Sequence, residues 1–352
     1  MLDKNLSSHS FGVVPLVTRV QIENYKSIEK LDFEARRVTV FIGEPNAGKS
    51  NILEALALLS PGIGSRFLET FRAEHPAELF RDQSIELQPL LALQSAVAWQ
   101  LQFDPVASEF RLSFNLAGEQ LTSSFGPTVP AGQIRSLSRT PFRYYSYRRE
   151  LFANGREGDY HTLSCPYGEN LPAVLISNKT LRQSIAALFK KHGHRLEIRP
   201  QSMEILMSKE VDDFLYSYPF SAVSETLRRI AFYEGVFETN RDAVLILDEP
   251  EAYTYLFYTK YLAARIALDE SNQFFLTTHN PYVLMSIIEK TPSANLAIYA
   301  TRMRNYRTEL HRLDEKELDE ALDLNMDLFL NLDRYFPNED AVEAHAARGN
   351  GS

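Results

Sequence analysis

Residues 37–50 read Arg37-Val38-Thr39-Val40-Phe41-Ile42-Gly43-Glu44-Pro45-Asn46-Ala47-Gly48-Lys49-Ser50. The first six form a short, β-branched and apolar run, the pattern of a buried strand, and it stops at Gly43. From Ser50 the spacing of Ile52, Leu53, Leu56 and Leu59 marks one helical face, which Pro61-Gly62 ends. Between strand and helix, Gly43, Gly48, Lys49 and Ser50 satisfy G-x-x-x-x-G-K-[ST] at every required position. That spacing serves anion capture. A loop that wraps its N–H groups around phosphate oxygens needs glycine backbones, and the helix start behind it adds a positive dipole end. Glu44, Pro45, Asn46 and Ala47 fill the cradle. Lys49 reaches the β- and γ-phosphates, the Ser50 hydroxyl ligates Mg²⁺, and Asn51 completes the cofactor-binding set.

Two further strand ends carry chemistry. Ala243 to Leu247 is a continuous apolar run of buried-strand type, and it ends in Asp248-Glu249-Pro250. Beside a phosphate cradle, Asp248 has the job of holding Mg²⁺, and Glu249 that of orienting or deprotonating an attacking water. Neither acid tolerates burial without a cation, which argues for the metal. Glu251 reads equally as a first-turn acid favouring a helix dipole or as a direct participant. The next buried strand, Gln273 to Thr277, leads into Thr278-His279-Asn280-Pro281. His279 is expected at that strand's end, beside the end bearing Asp248, where it would contact the γ-phosphate.

The flanks are also patterned. Strands are expected over Leu16–Ile22 and Glu29–Phe33, and strand-like stretches over Leu101–Phe114. Helices are expected over Lys179–Lys191, over Val211–Tyr218, from Ser224 and over Leu256–Leu268. Two late strands are expected near Asn295–Tyr299 and Thr308–Leu313. An acidic helix is expected over Glu315–Asn331, with Leu318, Leu322, Met326 and Phe329 on one side, and a loose tail from Ala346.

Composition narrows the function classes. The 352 residues are 44% apolar, enough for a sizeable core. Cys165 is the one cysteine, which excludes an internal disulfide framework and a zinc site built on several cysteines. A cytoplasmic setting is expected, since Met1–Ser10 has no signal-peptide pattern and no apolar run approaches membrane-helix length. The net charge of −9 disfavours generic nucleic-acid binding. Residues 135–199, however, hold twelve Lys/Arg against five Asp/Glu. Within them Arg135, Arg139, Arg143, Arg148 and Arg149 interleave with Phe142, Tyr144, Tyr145 and Tyr147. That pattern fits a nucleic-acid face, a strand with a buried aromatic side, or a protein interface.

The three motifs, in this order, resemble an ABC-type ATPase head of the RecF, SMC and OLD kind. The resemblance begins in "VTRVQIENYKSIEKLDF", runs through "FIGEPNAGKSNILEAL" and resumes in "AVLILDEPEAYTYLF" and "FFLTTHNPYVL". It implies an α/β fold: a P-loop NTPase, an ABC-ATPase-like head with mixed β-sheet and an inserted α/β arm or lobe. The corresponding division is 1–64 and 205–313 for the ATPase core, 65–204 for the inserted lobe and 314–352 for the acidic helix and tail. The resemblance further implies ATP and Mg²⁺ as cofactors, with two heads sandwiching ATP in a homodimer or higher oligomer. Each head then offers a signature serine to the other, and Ser224 in "FSAVSETLRRIAFYEGVF" is the matching position, although Glu225 stands where the family has glycine. The family's glutamine loop falls between residues 65 and 100, with Gln83 the candidate. About 200 residues separate Lys49 from Asp248 without sustained heptads, so a long coiled-coil arm is excluded. Only 73 residues follow His279, too few for a Toprim nuclease of roughly 100 residues alongside the acidic helix.

The functional expectation is an ATPase that gates a separate effector protein, in DNA maintenance or phage defence. The alternative is a slow or non-hydrolysing ATP-bound scaffold that holds a nuclease or toxin.

Overall fold

The computed structural model describes residues 17–116, 118–128, 134–137, 139–149, 159–323 and 328–336. The first elements are β1 (Arg19–Tyr25), β2 (Ile28–Glu34), β3 (Val38–Gly43), α1 (Lys49–Ala57) and α2 (Phe67–Thr70). Then come β4 (Leu90–Leu93), β5 (Ala96–Asp104), β6 (Glu109–Leu116), β7 (Glu119–Phe125) and β8 (Phe142–Tyr145). The middle holds α3 (Leu171–Ser177), α4 (Lys179–Lys191), β9 (Arg195–Arg199), β10 (Glu204–Val211) and β11 (Phe214–Pro219). The last third holds α5 (Glu225–Thr239), β12 (Val244–Asp248), α6 (Leu256–Leu268), β13 (Gln273–Thr277) and α7 (Pro281–Lys290). It ends with β14 (Leu296–Arg304), β15 (Arg307–Arg312) and α8 (Glu315–Asp323). No described helix is long and apolar enough to cross a membrane.

The central sheet runs β15-β14-β3-β13-β12-β8. All its pairs are parallel except β14 with β15, so it is mixed. Its parallel strands read as unbroken apolar runs because both faces are covered. Val38, Val40, Leu245, Leu247, Phe274 and Leu276 face a cluster shared with α3 to α7. Phe41, Val244, Ile246 and Phe275 face the opposite cluster, shared with α1 and a second six-stranded sheet. That second sheet is antiparallel, in the order β2-β1-β4-β5-β6-β7. Helix α1 lies between the two sheets, where the fully buried Trp99 of β5 donates Nε1–H to the Ala55 carbonyl at 2.8 Å.

Several expectations need correction. Residues 65–204 do not form a separate lobe. Strand β4 pairs with β1, carrying β5 to β7 into the sheet of the N-terminal strands, and β8 pairs with β12 in the central sheet. Only β9 joins a small sheet of its own, β11-β10-β9, whose other two strands begin at Glu204 and Phe214.

The segment Val211–Tyr218 is a hairpin, not a helix. Asp212 and Asp213 take φ of 50° and 66°, the positive values that a two-residue turn demands, and Val211 pairs with Phe214. The acidic helix ends at Asp323, and Met326 falls outside the described residues. Its start is a reciprocal cap, with Glu317 N–H donating to Asp314 Oδ1 and Asp314 N–H to Glu317 Oε2. The tail from Ala346 also lies outside the described residues.

The centre of the aromatic-arginine segment, Phe142–Tyr145, is strand β8 of the central sheet. Phe142, Tyr144, Tyr145 and Tyr147 are all buried, so none offers a ring face to a base. Arg143 donates to its own neighbours' carbonyls, and Arg148 pairs with Glu69 and lies 4.2 Å from the centre of the Tyr167 ring. Arg135, Arg139 and Arg149 are exposed. The interleaved pattern therefore records a strand buried on both sides rather than a stacking platform.

Replacing Trp99 with Phe removes the bond to Ala55 and part of the packing of the antiparallel sheet on α1. Urea unfolding followed by circular dichroism is expected to show a loss of about 1–3 kcal/mol. Unchanged stability would mean that α1 is not clamped between the sheets.

Candidate functional site

Three neighbouring strands end on the same edge of the central sheet. Register sets Asp248 of β12 opposite Thr277 of β13, and Thr277 opposite Phe41 of β3. The chain leaves β3 at Gly43, which is packed so closely against β14 that a Cβ there would stand 2.2 Å from the Thr301 carbonyl oxygen. The loop then turns through Asn46 and Gly48, with φ of 62° and 93°. A Cβ on Gly48 would meet Thr308 Oγ1 at 2.0 Å. Thr308 belongs to a small network, since its hydroxyl lies 2.7 Å from Ser27 Oγ, which accepts from Asn51 Nδ2 at 2.7 Å. Helix α1 starts at Lys49 without a side-chain cap and without an acid in its first turn. Its end therefore keeps its positive character.

Lys49 is 5% exposed and donates Nζ–H to the carbonyls of Gly43 at 2.9 Å and Glu44 at 2.7 Å. Burial lowers its pKa to about 8, against the opposing pull of Glu249, Asp248 and Glu44. Ser50 Oγ donates to Asp248 Oδ1 at 3.3 Å, and Thr277 Oγ1 donates to the same oxygen at 2.5 Å. Glu249 holds a φ of 43°, uncommon for a side chain of this size, and its N–H donates to Thr277 Oγ1 at 3.0 Å. His279 Nε2 stands 3.2 Å from Glu249 Oε1, and that contact depresses the Glu249 carboxyl against the opposing effect of burial.

Pro45, Asn46, Ala47, Gly48, Lys49, Ser50, Asn51, Glu249 and His279 line one cavity of about 460 Å³. Gly43 and Glu44 stand just behind it as acceptors for Lys49, and Asp248 is tied to it through Ser50. Arg72 and Met303 also line it, and neither was expected. Arg72 lies in an irregular stretch with no sequence periodicity, where its φ is 51° and its guanidinium bonds the buried Glu54. Met303 comes from the end of β14, which runs past the cradle. Gln83 is exposed and is not among the lining residues. Ser224 caps α5, accepting from Leu227 N–H at 3.4 Å, and is exposed away from the cavity of its own chain. A larger cleft of about 950 Å³ between α7 and α8 also holds cations, Arg312 and Lys316, and acids, but the helix start there is capped by Asp314 and Glu317 and acidic in its first turn, which suits no anion.

The donor set suits a hard divalent cation. Ser50 Oγ lines the cavity and Asp248 Oδ1 stands 3.3 Å behind it, two oxygens, too few for an all-protein cage and fitting for Mg²⁺, which keeps waters and takes phosphate oxygens. Among the described residues no group of three or more His, Cys, Asp or Glu forms a metal cluster.

Glu251 is the buried acid of the group. It is 5% exposed; Oε1 accepts from Thr278 Oγ1, while Oε2 has no hydrogen-bond partner among the described residues. Burial pushes its pKa up to about 7.

A family model described as "AAA domain, putative AbiEii toxin, Type IV TA system" matches residues 38–286. No curated protein matches the chain. Among solved structures, an SMC head bound to the C-winged helix domain of ScpA aligns with a TM-score of 0.53 and 14% identity, over 87% of this chain and 100% of that one. An SMC head with an extended coiled coil, bound to the C-terminal domain of ScpA from Pyrococcus furiosus, aligns with a TM-score of 0.52 and 12% identity. That alignment covers 88% of this chain and 99% of the other. At such identities the likeness is one of fold, that of a P-loop ATPase head.

Because the Glu251 pKa is raised by folding, its burial costs nothing below the unfolded value of 4.5 and costs most above about 7. Glu251→Gln removes that cost, so its stability relative to wild type is expected to rise by up to about 3 kcal/mol across this window. Thermal or urea melts at about pH 5 and about pH 8 measure it, and a pH-independent difference would contradict the raised pKa.

Proposed function

The chain belongs to this AAA-domain family, and from that premise we propose that it is a Mg²⁺-dependent ATPase head whose ATP-bound dimer gates a separate effector. The observation that carries the reading is the convergence of Lys49, the uncapped start of α1, Asp248, Glu249 and His279 on one cavity. A buried ammonium bonded only to carbonyls, beside a helix start with no acid, is an anion site awaiting a polyphosphate.

The division of labour follows from the chemistry of each group. The loop amides of residues 45–50 and Lys49 hold the β- and γ-phosphates. Ser50 and Asp248 would hold Mg²⁺, which would supply positive charge against the phosphates. Glu249, whose carboxyl the contact with His279 holds below its ordinary pKa, orients a water and accepts its proton as the water oxygen bonds to the γ-phosphorus. The bond to the β–γ bridging oxygen breaks, and ADP departs with the electron pair. His279, 3.2 Å from Glu249, contacts the γ-phosphate and couples its presence to the orientation of the base. Ser224, exposed at the start of α5, is offered to the γ-phosphate held by a second copy.

The family description names a toxin of a toxin–antitoxin system, and the related heads were solved with a partner domain bound. Both support a head that works through another protein.

A second reading is favoured by one residue. Glu225 follows Ser224, where a carboxylate would repel a partner's γ-phosphate, although Arg229 lies 3.5 Å from it. That weakens the ATP dimer and fits a slow, ATP-bound scaffold that restrains a nuclease or toxin.

Steady-state phosphate release separates the two. Glu249→Gln is expected to bind ATP normally and to lose turnover by about 10²-fold or more. Wild type and Glu249→Gln equal and near zero, with ATP still bound, would leave the scaffold reading standing. Lys49→Ala is expected to abolish ATP binding by calorimetry, and unaltered affinity would remove the cradle from the reading.

The pH dependence of binding is a further test. With the Lys49 pKa lowered to about 8, wild-type affinity for ATP is expected to hold below that pH and to fall above it, by up to about tenfold per unit. A flat affinity through that range would show that Lys49 does not contact the phosphates.

A further inference from the structure

Glu251 takes no part in the chemistry set out above, yet it is an acid buried beside the site. It lies two residues beyond Glu249, in the turn that follows β12, and that turn is closed on itself. Thr254 N–H and Thr254 Oγ1 both donate to the Glu251 carbonyl, at 3.0 and 2.6 Å. Its side chain crosses to the other loop of the site, where Thr278 Oγ1 donates to Oε1. The same Thr278 hydroxyl accepts from Asn280 N–H at 3.0 Å. Thr278 and Asn280 flank His279. One carboxyl group therefore joins the turn that bears Glu249 to the loop that bears His279, and it does so from beneath the 3.2 Å contact between those two side chains.

Two facts show why the clamp has this composition. Glu249 holds a φ of 43°, a conformation that the surrounding contacts must maintain. The only proton of the Thr278 hydroxyl goes to Glu251 Oε1, so no spare donor remains there for the second carboxylate oxygen. Among the described residues Oε2 is buried without a partner, and Tyr233 on α5 is close enough to feel the charges of Glu251 and Arg229. An ionised carboxylate with one naked oxygen costs more in that place than a carboxylic acid carrying its proton on Oε2.

Resting on the ATPase reading, we propose that Glu251 is a positioning residue that acts as a neutral acid, clamping the Glu249 turn to the His279 loop so that base and γ-phosphate contact share one geometry. Its charge is not used. An amide therefore replaces it and a methyl group does not.

Hydrogen–deuterium exchange by mass spectrometry, on the full chain without nucleotide, reads the clamp independently of turnover. In Glu251→Ala, exchange over residues 249–254 and 277–280 is expected to accelerate by about tenfold or more, while the rest of the protein keeps its protection. Turnover is expected to fall by about 10- to 100-fold, with KM for ATP moving less than about twofold. Glu251→Gln is expected to restore both exchange and turnover to within about threefold of wild type. If Glu251→Ala does not fold, Thr278→Val removes the bond from the opposite side, and the same acceleration is expected of it.

Unchanged exchange in Glu251→Ala or, where that variant does not fold, in Thr278→Val would overturn the clamp. A Glu251→Gln variant as defective as Glu251→Ala would overturn the neutral-acid assignment. Absence of turnover in wild type would sink the ATPase reading instead, and the exchange measurement would still decide on the clamp.

Discussion

Lys49 carries a charge that the protein alone does not neutralise at close range. Its ammonium is folded behind the first turn of α1, bonded to the carbonyls of Gly43 and Glu44, with burial pulling its pKa down to about 8. Carbonyl oxygens satisfy its protons but supply no counter-charge. Asp248 and Glu249 pull on it from a distance, and each has a nearer partner: Asp248 has Ser50 and Thr277, and Glu249 has His279. The loop amides and the uncapped helix start add more positive potential to the same cavity. A polyphosphate with a divalent cation answers all of these at once, and a smaller neutral ligand answers none.

The rest of the fold holds that arrangement still. The parallel register of β3, β13 and β12 brings three loops to one edge, which is where open α/β sheets bind ligands. The antiparallel sheet buries the far side of α1 through Trp99, so the helix that aims its N-terminus at the cavity cannot tilt. Gly43 and Gly48 are fixed by their neighbours as much as by the ligand. The backbone of β14 and the side chain of Thr308 lie where a Cβ would go, and Ser27 and Asn51 tie that threonine to the β1–β2 turn and to α1. The cradle is thus shaped before any phosphate arrives, a form of preorganisation that lowers the entropic cost of binding.

Much of this was legible in the sequence, and the reasons are local. The cradle, the Asp248-Glu249 strand end and the His279 strand end announce themselves because unbroken apolar runs stop abruptly at polar residues. Strand β13 and helix α4 fall on the residues that their patterns mark. Legibility failed where contacts are made across the chain rather than along it. Nothing within residues 65–125 shows that β4 pairs with β1, a non-local register. The arginines interleaved in residues 135–149 hid a strand whose aromatic rings are all buried, because composition does not tell which face meets solvent. The Asp212-Asp213 turn hid in a stretch that passes for helical. Arg72 reaches the cavity from irregular backbone, and Glu251 crosses from one loop to another. Neither leaves a periodic trace.

The central claim is that the ends of β3, β12 and β13 meet on a single triphosphate. A crystal structure of the protein with Mg²⁺ and a non-hydrolysable ATP analogue tests it most directly. The expected density places the β- and γ-phosphates within the loop of residues 45–50, with Lys49 Nζ and His279 each about 3 Å from γ-phosphate oxygens. A nucleotide bound elsewhere, or one whose γ-phosphate touches the cradle but lies out of reach of both Glu249 and His279, would contradict it.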